Sequence, residues 1–101
     1  MDIESLNQLL GTPRDNAMLR LTLARLLAAR SEPGEAEQHL QTATVMDADY
    51  TAAWKELGKV RQQIGDTEGA AAAWRRGIEV ARAKGDKQAE KEMTVFLRRL
   101  P

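Results

Sequence analysis

The stretch Trp54-Lys55-Glu56-Leu57-Gly58-Lys59-Val60-Arg61 is followed by Gly65-Asp66, then by Ala70 and Trp74. Trp54, Leu57, Gly58 and Ile64 fall on one face at helical spacing. Gly65 can take the left-handed conformation that closes a helix. Asp66 can cap the next helix by accepting from its unpaired backbone N–H groups. Beyond it, Ala70, Ala73, Trp74, Gly77 and Ile78 form a second inward stripe. The stretch therefore reads as two helices joined by a turn too short for anything but an antiparallel pair.

Outward from this pair the same grammar continues. Toward the C-terminus, Gly85-Asp86 repeats the stop-and-start device, and a helix over about 87–100 carries Ala89, Met93, Phe96, Leu97 and Leu100. Toward the N-terminus, a loop over Asp47-Ala48-Asp49-Tyr50 precedes the pair. Before it lies a segment beginning near Pro33, which suits a first helical turn because its missing N–H would be unpaired there anyway. Its stripe is Ala36, Leu40, Ala43 and Met46. A further segment, to about Arg30, has Asp15 as its expected N-cap and Leu19, Leu23, Leu26 and Leu27 as its stripe. A first helix over about 2–10 is capped by Asp2, carries Ile3, Leu6, Leu9 and Leu10, and ends at Gly11. Helix formers fill the chain, and no alternating β-branched run is present. The expected fold class is all-α, a row of about six helices in antiparallel hairpins.

A shift of about 34 residues tests for an internal repeat. Leu23 aligns with Leu57, Ala24 with Gly58, Ala36 with Ala70, Leu40 with Trp74, and Ala43 with Gly77. Small and large residues recur in matching places. Arg20 in place of Trp54 is the poorest match. Trp54, Leu57, Gly58, Ala70 and the aromatic Trp74 together resemble the tetratricopeptide repeat, with Arg61 where that family has an aromatic and Arg82 where a proline often ends the unit. The resemblance implies a short right-handed superhelix in a single domain. A cover helix would occupy 2–10, a first repeat 16–50, a second 51–84 and a capping helix 86–100. It also implies that Leu23, Ala24, Ala36, Leu40, Trp54, Leu57, Gly58, Ala70 and Trp74 are packing residues rather than binding residues, since a lone hairpin cannot bury its own apolar face and needs its neighbours.

Composition narrows the function classes. The chain of 101 residues has 15 basic and 15 acidic side chains and a net charge of zero, without the basic excess of a nucleic-acid binder. No nucleic-acid partner is expected. No cysteine is present, which removes disulfides, thiolate metal sites and a cysteine nucleophile. The first ten residues lack the basic region of a secretory signal. The longest apolar stretch, 19–29, is broken by Arg20 and Arg25 and falls well short of the ~20 residues that cross a bilayer. A soluble, cytoplasmic chain with no membrane association is expected.

No catalytic constellation emerges, and no cofactor or metal is expected. His39 is the lone histidine, with no second ligand at metal-binding spacing, and reads as a partly exposed surface group. Asp47 and Asp49 sit where acids cap turns, without the twelve-residue calcium series. Gly65, Gly69 and Gly77 are too far apart for a phosphate loop. An enzyme is the least expected class.

In such a stack the first helix of each pair lines the concave side. Helical spacing places Met18, Leu21, Arg25 and Ala28 there from one helix, and Ala52, Lys55, Lys59 and Gln62 from another. Arg25, Lys55 and Lys59, with Lys87 beside them, make a basic strip. The bland reading is ordinary solvated charge. The functional reading is a groove for an acidic or C-terminal peptide. Some members of the resembled family clamp a C-terminal carboxylate with Lys and Asn in one repeat and Asn in the next. The matching positions here hold Leu21, Arg25 and Glu56, so that clamp is not expected. The leading expectation is a protein-interaction module. The alternative is a structural domain that self-associates as a weak homo-oligomer. An RNA adaptor resting on Arg75-Arg76 and Arg98-Arg99 comes third, because no aromatic platform accompanies those pairs.

Overall fold

A computed structural model describes residues 2–101, and all six elements among them are helices: α1 (Ile3–Asn7), α2 (Ala17–Ala29), α3 (Pro33–Met46), α4 (Thr51–Ile64), α5 (Thr67–Lys84) and α6 (Lys87–Arg98). Consecutive helices pack side by side. α2 lies against α3, α3 against α4, α4 against α5 and α5 against α6, while α1 covers α2. The stack measures 37 × 28 × 19 Å.

Local chemistry sets the helix ends. The Asp2, Asn16, Asp66 and Asp86 carboxylates or amide accept from the backbone N–H groups of Ser5, Leu19, Gly69 and Ala89, satisfying donors that the first helical turn leaves free. Gly65 and Gly85, at φ 94° and 72°, close α4 and α5 in the left-handed conformation. Pro33 stands in the first turn of α3.

Three expectations about the ends need correction. α1 stops at Asn7 rather than Leu10, because residues 8–14 run on as hydrogen-bonded turns that keep Leu9 and Leu10 half buried. The N-cap of α2 is Asn16, not Asp15. Asp15 is drawn away by Arg20, whose Nε and Nη2 donate to its two oxygens at 2.9 and 2.8 Å. Ile64 and Met46 lie on the outside, 44% and 45% exposed, each in the last turn of its helix where the inward face has run out.

The apolar interior falls into clusters along the stack. Ile3 and Leu6 of α1, Leu19, Leu23, Ala24 and Leu27 of α2, Ala36 and Leu40 of α3, Leu57 and Val60 of α4, and Ala73 of α5 are buried in one cluster. Ala70, Trp74, Ile78 and Ala81 of α5 form a second cluster with Met93 of α6, flanked by Phe96, Leu97 and Leu100. Close approach depends on small residues. A Cβ at Gly58 would overlap the Trp74 indole, and one at Gly77 would overlap the Met93 sulfur. The buried Trp74 Nε1 donates to the Lys55 carbonyl of α4 at 3.1 Å. Trp54 is only half buried. It packs against the edge of the first cluster, and its Nε1 donates to the Ala48 carbonyl at 2.8 Å.

Candidate functional site

α2, α4 and α6 are the first helices of successive pairs, and their shared side carries the residues singled out for a groove. Arg25 and Lys59 are about half exposed, and both approach the Glu56 carboxylate, at 3.6 and 3.8 Å. Lys55 faces Glu92 of α6 at 3.8 Å. Gln62 is exposed one turn further along α4. Arg25, Lys55 and Lys59 do share a side of the molecule, but not as a purely basic strip. Glu56 and Glu92 alternate with them, so ion pairs bridge α2 to α4 and α4 to α6.

A hollow of about 260 Å³ opens between α4 and α6, lined by Thr51, Ala52, Lys55, Asp86, Gln88, Ala89 and Glu92. It holds one cation and two carboxylates. Lys87 does not join it. Its side chain lines a separate surface hollow with Glu90, Lys91, Thr94, Val95 and Arg98, because position 87 lies about a quarter-turn from Gln88 on a 3.6-residue helix. Leu21 also leaves the groove: it is 3% exposed and belongs to the core. Met18 is 64% exposed but turns to the outer end of α2.

Away from this side, two arginines occupy positions where the resembled pattern has aromatics, and both are tied down. Arg61 reaches from α4 to Glu37 of α3 at 2.9 Å and to the Gly69 carbonyl of α5 at 3.2 Å. It thus joins three helices by charge-assisted hydrogen bonds. Arg20 clamps Asp15 and places Nη1 3.2 Å from His39 Nδ1 on α3. His39 is half buried, the partly exposed position expected of it, with Arg20 as its neighbour. Burial, and then the Arg20 charge, push its pKa below the ordinary value. The hydrogen bond from Arg20, and then the Gly11 N–H, hold Asp15 below the usual carboxylate range. With Nδ1 accepting from Arg20, neutral His39 carries its proton on Nε2. Sequence spacing offers no sign of the His39 and Glu37 partners, because they lie 19 and 24 residues away.

Among the described residues no group of three or more His, Asp or Glu side chains stands in position to hold a metal ion. No helix among them is long and apolar enough to cross a membrane.

Comparison with known proteins gives a consistent picture. The chain is 48% identical over 100 residues to TPR repeat-containing protein PA0015 of Pseudomonas aeruginosa, an alignment spanning 99% of this chain and 95% of that one. Its structure is similar to the solution structure of protein BPP2914 from Bordetella parapertussis, with a TM-score of 0.83, 41% identity and coverage of 98% of this chain and 86% of that one. It is also similar to the Sgt2 TPR domain from Aspergillus fumigatus, with a TM-score of 0.76 and 25% identity over 95% of this chain and 66% of that one. A tetratricopeptide repeat domain protein from Salinibacter ruber matches with a TM-score of 0.76 and 26% identity over 84% and 85% of the two chains. No family model matches the chain.

Proposed function

The chain belongs to the tetratricopeptide repeat family, and from that premise we propose that it is a protein-interaction module that takes a peptide segment along the α2, α4 and α6 side. The observation that carries this reading is the hollow between α4 and α6, where Lys55, Asp86 and Glu92 surround the small side chains Thr51, Ala52 and Ala89. Small residues on its floor leave room for a backbone or side chain to approach. Charged residues on its rim fix orientation.

The charge pattern shapes the partner. A purely acidic segment would have to displace Glu56 from Arg25 and Lys59, and Glu92 from Lys55. A segment with a carboxylate and a cation a turn apart can instead exchange these pairs for its own, at little net electrostatic cost. The partner we propose therefore carries mixed charge, one acid for Lys55 or Lys59 and one base for Asp86 or Glu92.

The experiment recovers partners on the whole chain from native cell extract and titrates each against the Lys55→Glu/Lys59→Glu double variant. Lost hydrogen bonds to charged groups of about 1.5–3 kcal/mol correspond to roughly 10–150-fold weaker binding. The variant should fold normally, since Lys59 is exposed and Lys55 only half buried. An unchanged affinity moves the binding surface off α4.

A further inference from the structure

The zero net charge conceals a polarity along the stack. Residues 1–50 carry eight acidic and four basic side chains, and residues 51–101 carry seven acidic and eleven basic. The N-terminal half is thus at −4 and the C-terminal half at +4. Sorting the ion pairs sharpens the contrast. On α6, Glu90 is taken by Arg82 of α5 at 2.7 Å and Glu92 by Lys55 of α4 at 3.8 Å. Both acids of α6 are therefore spent on its neighbours. Lys87, Lys91 and Arg98 recur on the side of the helix away from α5, exposed and with no ion pair among the described residues. The half-buried Val95 lies beside them in a shallow hollow of about 420 Å³.

The opposite half carries a surface of complementary character. Ala17, Met18, Met46 and Tyr50 line a hollow of about 460 Å³ with Asp15, Asn16 and Asp47. Met18 and Met46 are 64% and 45% exposed, two of only four large apolar side chains so exposed among the described residues. Asp47 and the neighbouring Asp49 are exposed and make no ion pair among the described residues. One surface is therefore an apolar hollow with the free acid Asp47 in its lining and Asp49 beside it. The other is a helix face rimmed by free bases around an apolar residue.

We propose that these two surfaces are partners, and that one copy seats its α6 face (Lys87, Lys91, Val95, Arg98) against the Met18–Met46–Asp47 hollow of a second copy. Exposed methionines adapt to an incoming apolar surface, and opposite charges at the rims steer the encounter and fix its direction. The contact is heterologous, so a pair of copies still has one free surface of each kind, and chains of copies grow head to tail. This surface is separate from the α4–α6 hollow, and the inference does not depend on what binds there.

Sedimentation velocity on the full chain, across concentration and at low and high salt, reads the association. The wild type should show concentration-dependent growth that weakens as salt screens the rims, over about 10 Å at 0.1 M ionic strength. Two variants break one surface each: Met18→Lys/Asp47→Lys in the hollow, and Lys91→Glu/Arg98→Glu on α6. All four positions are exposed, and circular dichroism verifies that both variants stay folded. Each variant alone should associate at least about tenfold more weakly. Mixed, they should form a 1:1 dimer and nothing larger, because together they retain one intact hollow and one intact α6 face. A wild type that stays monomeric into the millimolar range at low salt overturns the proposal. So does association abolished by the α6 variant but untouched by the hollow variant, which would mean α6 pairs with itself. A monomeric wild type whose α6 face takes up a synthetic acidic helical peptide would assign that face to a foreign partner and overturn it equally.

Discussion

The hairpins α2–α3 and α4–α5 are alike in backbone and differ in how they divide volume. In the second, Gly58 on α4 makes room for the Trp74 indole on α5, which fills the gap and donates to the Lys55 carbonyl. In the first, the corresponding places hold Ala24 and Leu40, both buried in the main cluster. A methyl group is gained on one helix and a large ring is lost on the other. Interiors hold a constant packing density, so either assignment closes the interface, provided both halves change together. The lesson is that the unit of specification is the pair and not the residue. That is why identities between the two hairpins are few while their geometry repeats.

The largest effects should come from splitting that pair. Trp74→Ala removes a side chain that is 1% exposed and should cost about 3–5 kcal/mol. Trp54→Ala should cost less, because Trp54 is half buried and rests at the cluster edge. Gly58→Ala is the sharper probe. Helix propensity alone favours alanine by about 1 kcal/mol, yet the new methyl overlaps the indole, and overpacking of this kind costs about 1–3 kcal/mol. The net change should be destabilising. In the double variant Gly58→Ala/Trp74→Leu, which copies the Ala24–Leu40 arrangement, the penalty should fall below the sum of the singles by about 0.5–3 kcal/mol. Urea denaturation of the wild type, Gly58→Ala, Trp74→Leu and the double variant measures it. Additive costs would mean the two positions are not a packing pair.

The turns differ as well. α4 and α5 end on Gly65 and Gly85 and are followed by Asp66 and Asp86, whose side chains cap the next helix. α2 makes the same kind of turn with Ser31, at φ 61°. Its hydrogen bonds are equivalent: Glu32 N–H to the Leu27 carbonyl at 2.9 Å, against Asp66 N–H to Arg61 at 2.8 Å. Glu32 makes no side-chain cap. The turn inside the first hairpin thus holds a strained serine and leaves α3 uncapped, where the turn inside the second has a glycine and caps α5 with Asp66. A left-handed L-residue costs roughly 1–2 kcal/mol, and a missing cap about 0.5–2 kcal/mol. Ser31→Gly/Glu32→Asp should therefore stabilise the protein by about 1–2 kcal/mol, read as a rise in melting temperature. A melting temperature that stays put or falls would show that the strain is relieved by contacts the glycine loses.

These cases mark what was legible in the sequence. Gly65-Asp66 and Gly85-Asp86 announce helix boundaries because cap and stop act within a few residues of themselves. Ser31 gives no such sign, since nothing local requires a serine to turn left-handed, and only the tertiary path of the chain does. Asp15 and Asn16 are equally competent caps on paper. The choice between them falls to Arg20, which takes Asp15. The groove was legible as a set of helix positions but not as an electrostatic surface. Arg25 meets Glu56 and Lys55 meets Glu92 across helices, at separations of 31 and 37 residues that no local pattern encodes. Lys87 was misplaced by the same limit, as its face on α6 depends on how that helix rotates against α5.

The smallest expected difference between the hairpins lies at their matched positions 20 and 54, and it depends on pH. Trp54 anchors to the Ala48 carbonyl with a group that does not titrate. Arg20 anchors to Asp15 and His39, which do. His39 titrates below its ordinary 6.5, first through burial and then through the Arg20 charge. The unfolded chain therefore takes up a proton at a pH where the folded chain still refuses it. This contribution to stability is complete above about pH 6.5 and is lost as pH falls through that value toward the folded pKa. Protonated His39 could no longer accept from Arg20, and two cations would face one another across α2 and α3. Asp15, lowered from 3.8 by Arg20 and the Gly11 N–H, behaves the same way in a separate window: its contribution is present above about pH 3.8 and disappears below it. Urea midpoints should accordingly fall between pH 7.5 and 5.5 in the wild type, and His39→Gln should flatten that step while leaving the loss below pH 4. Asp15→Asn should remove part of the acid loss. Both changes should be modest, since His39 is only half buried and solvent screens it. If His39→Gln leaves the step between pH 7.5 and 5.5 intact, the contact between Arg20 and His39 does not couple folding to pH, and the two hairpins are equally insensitive at this position.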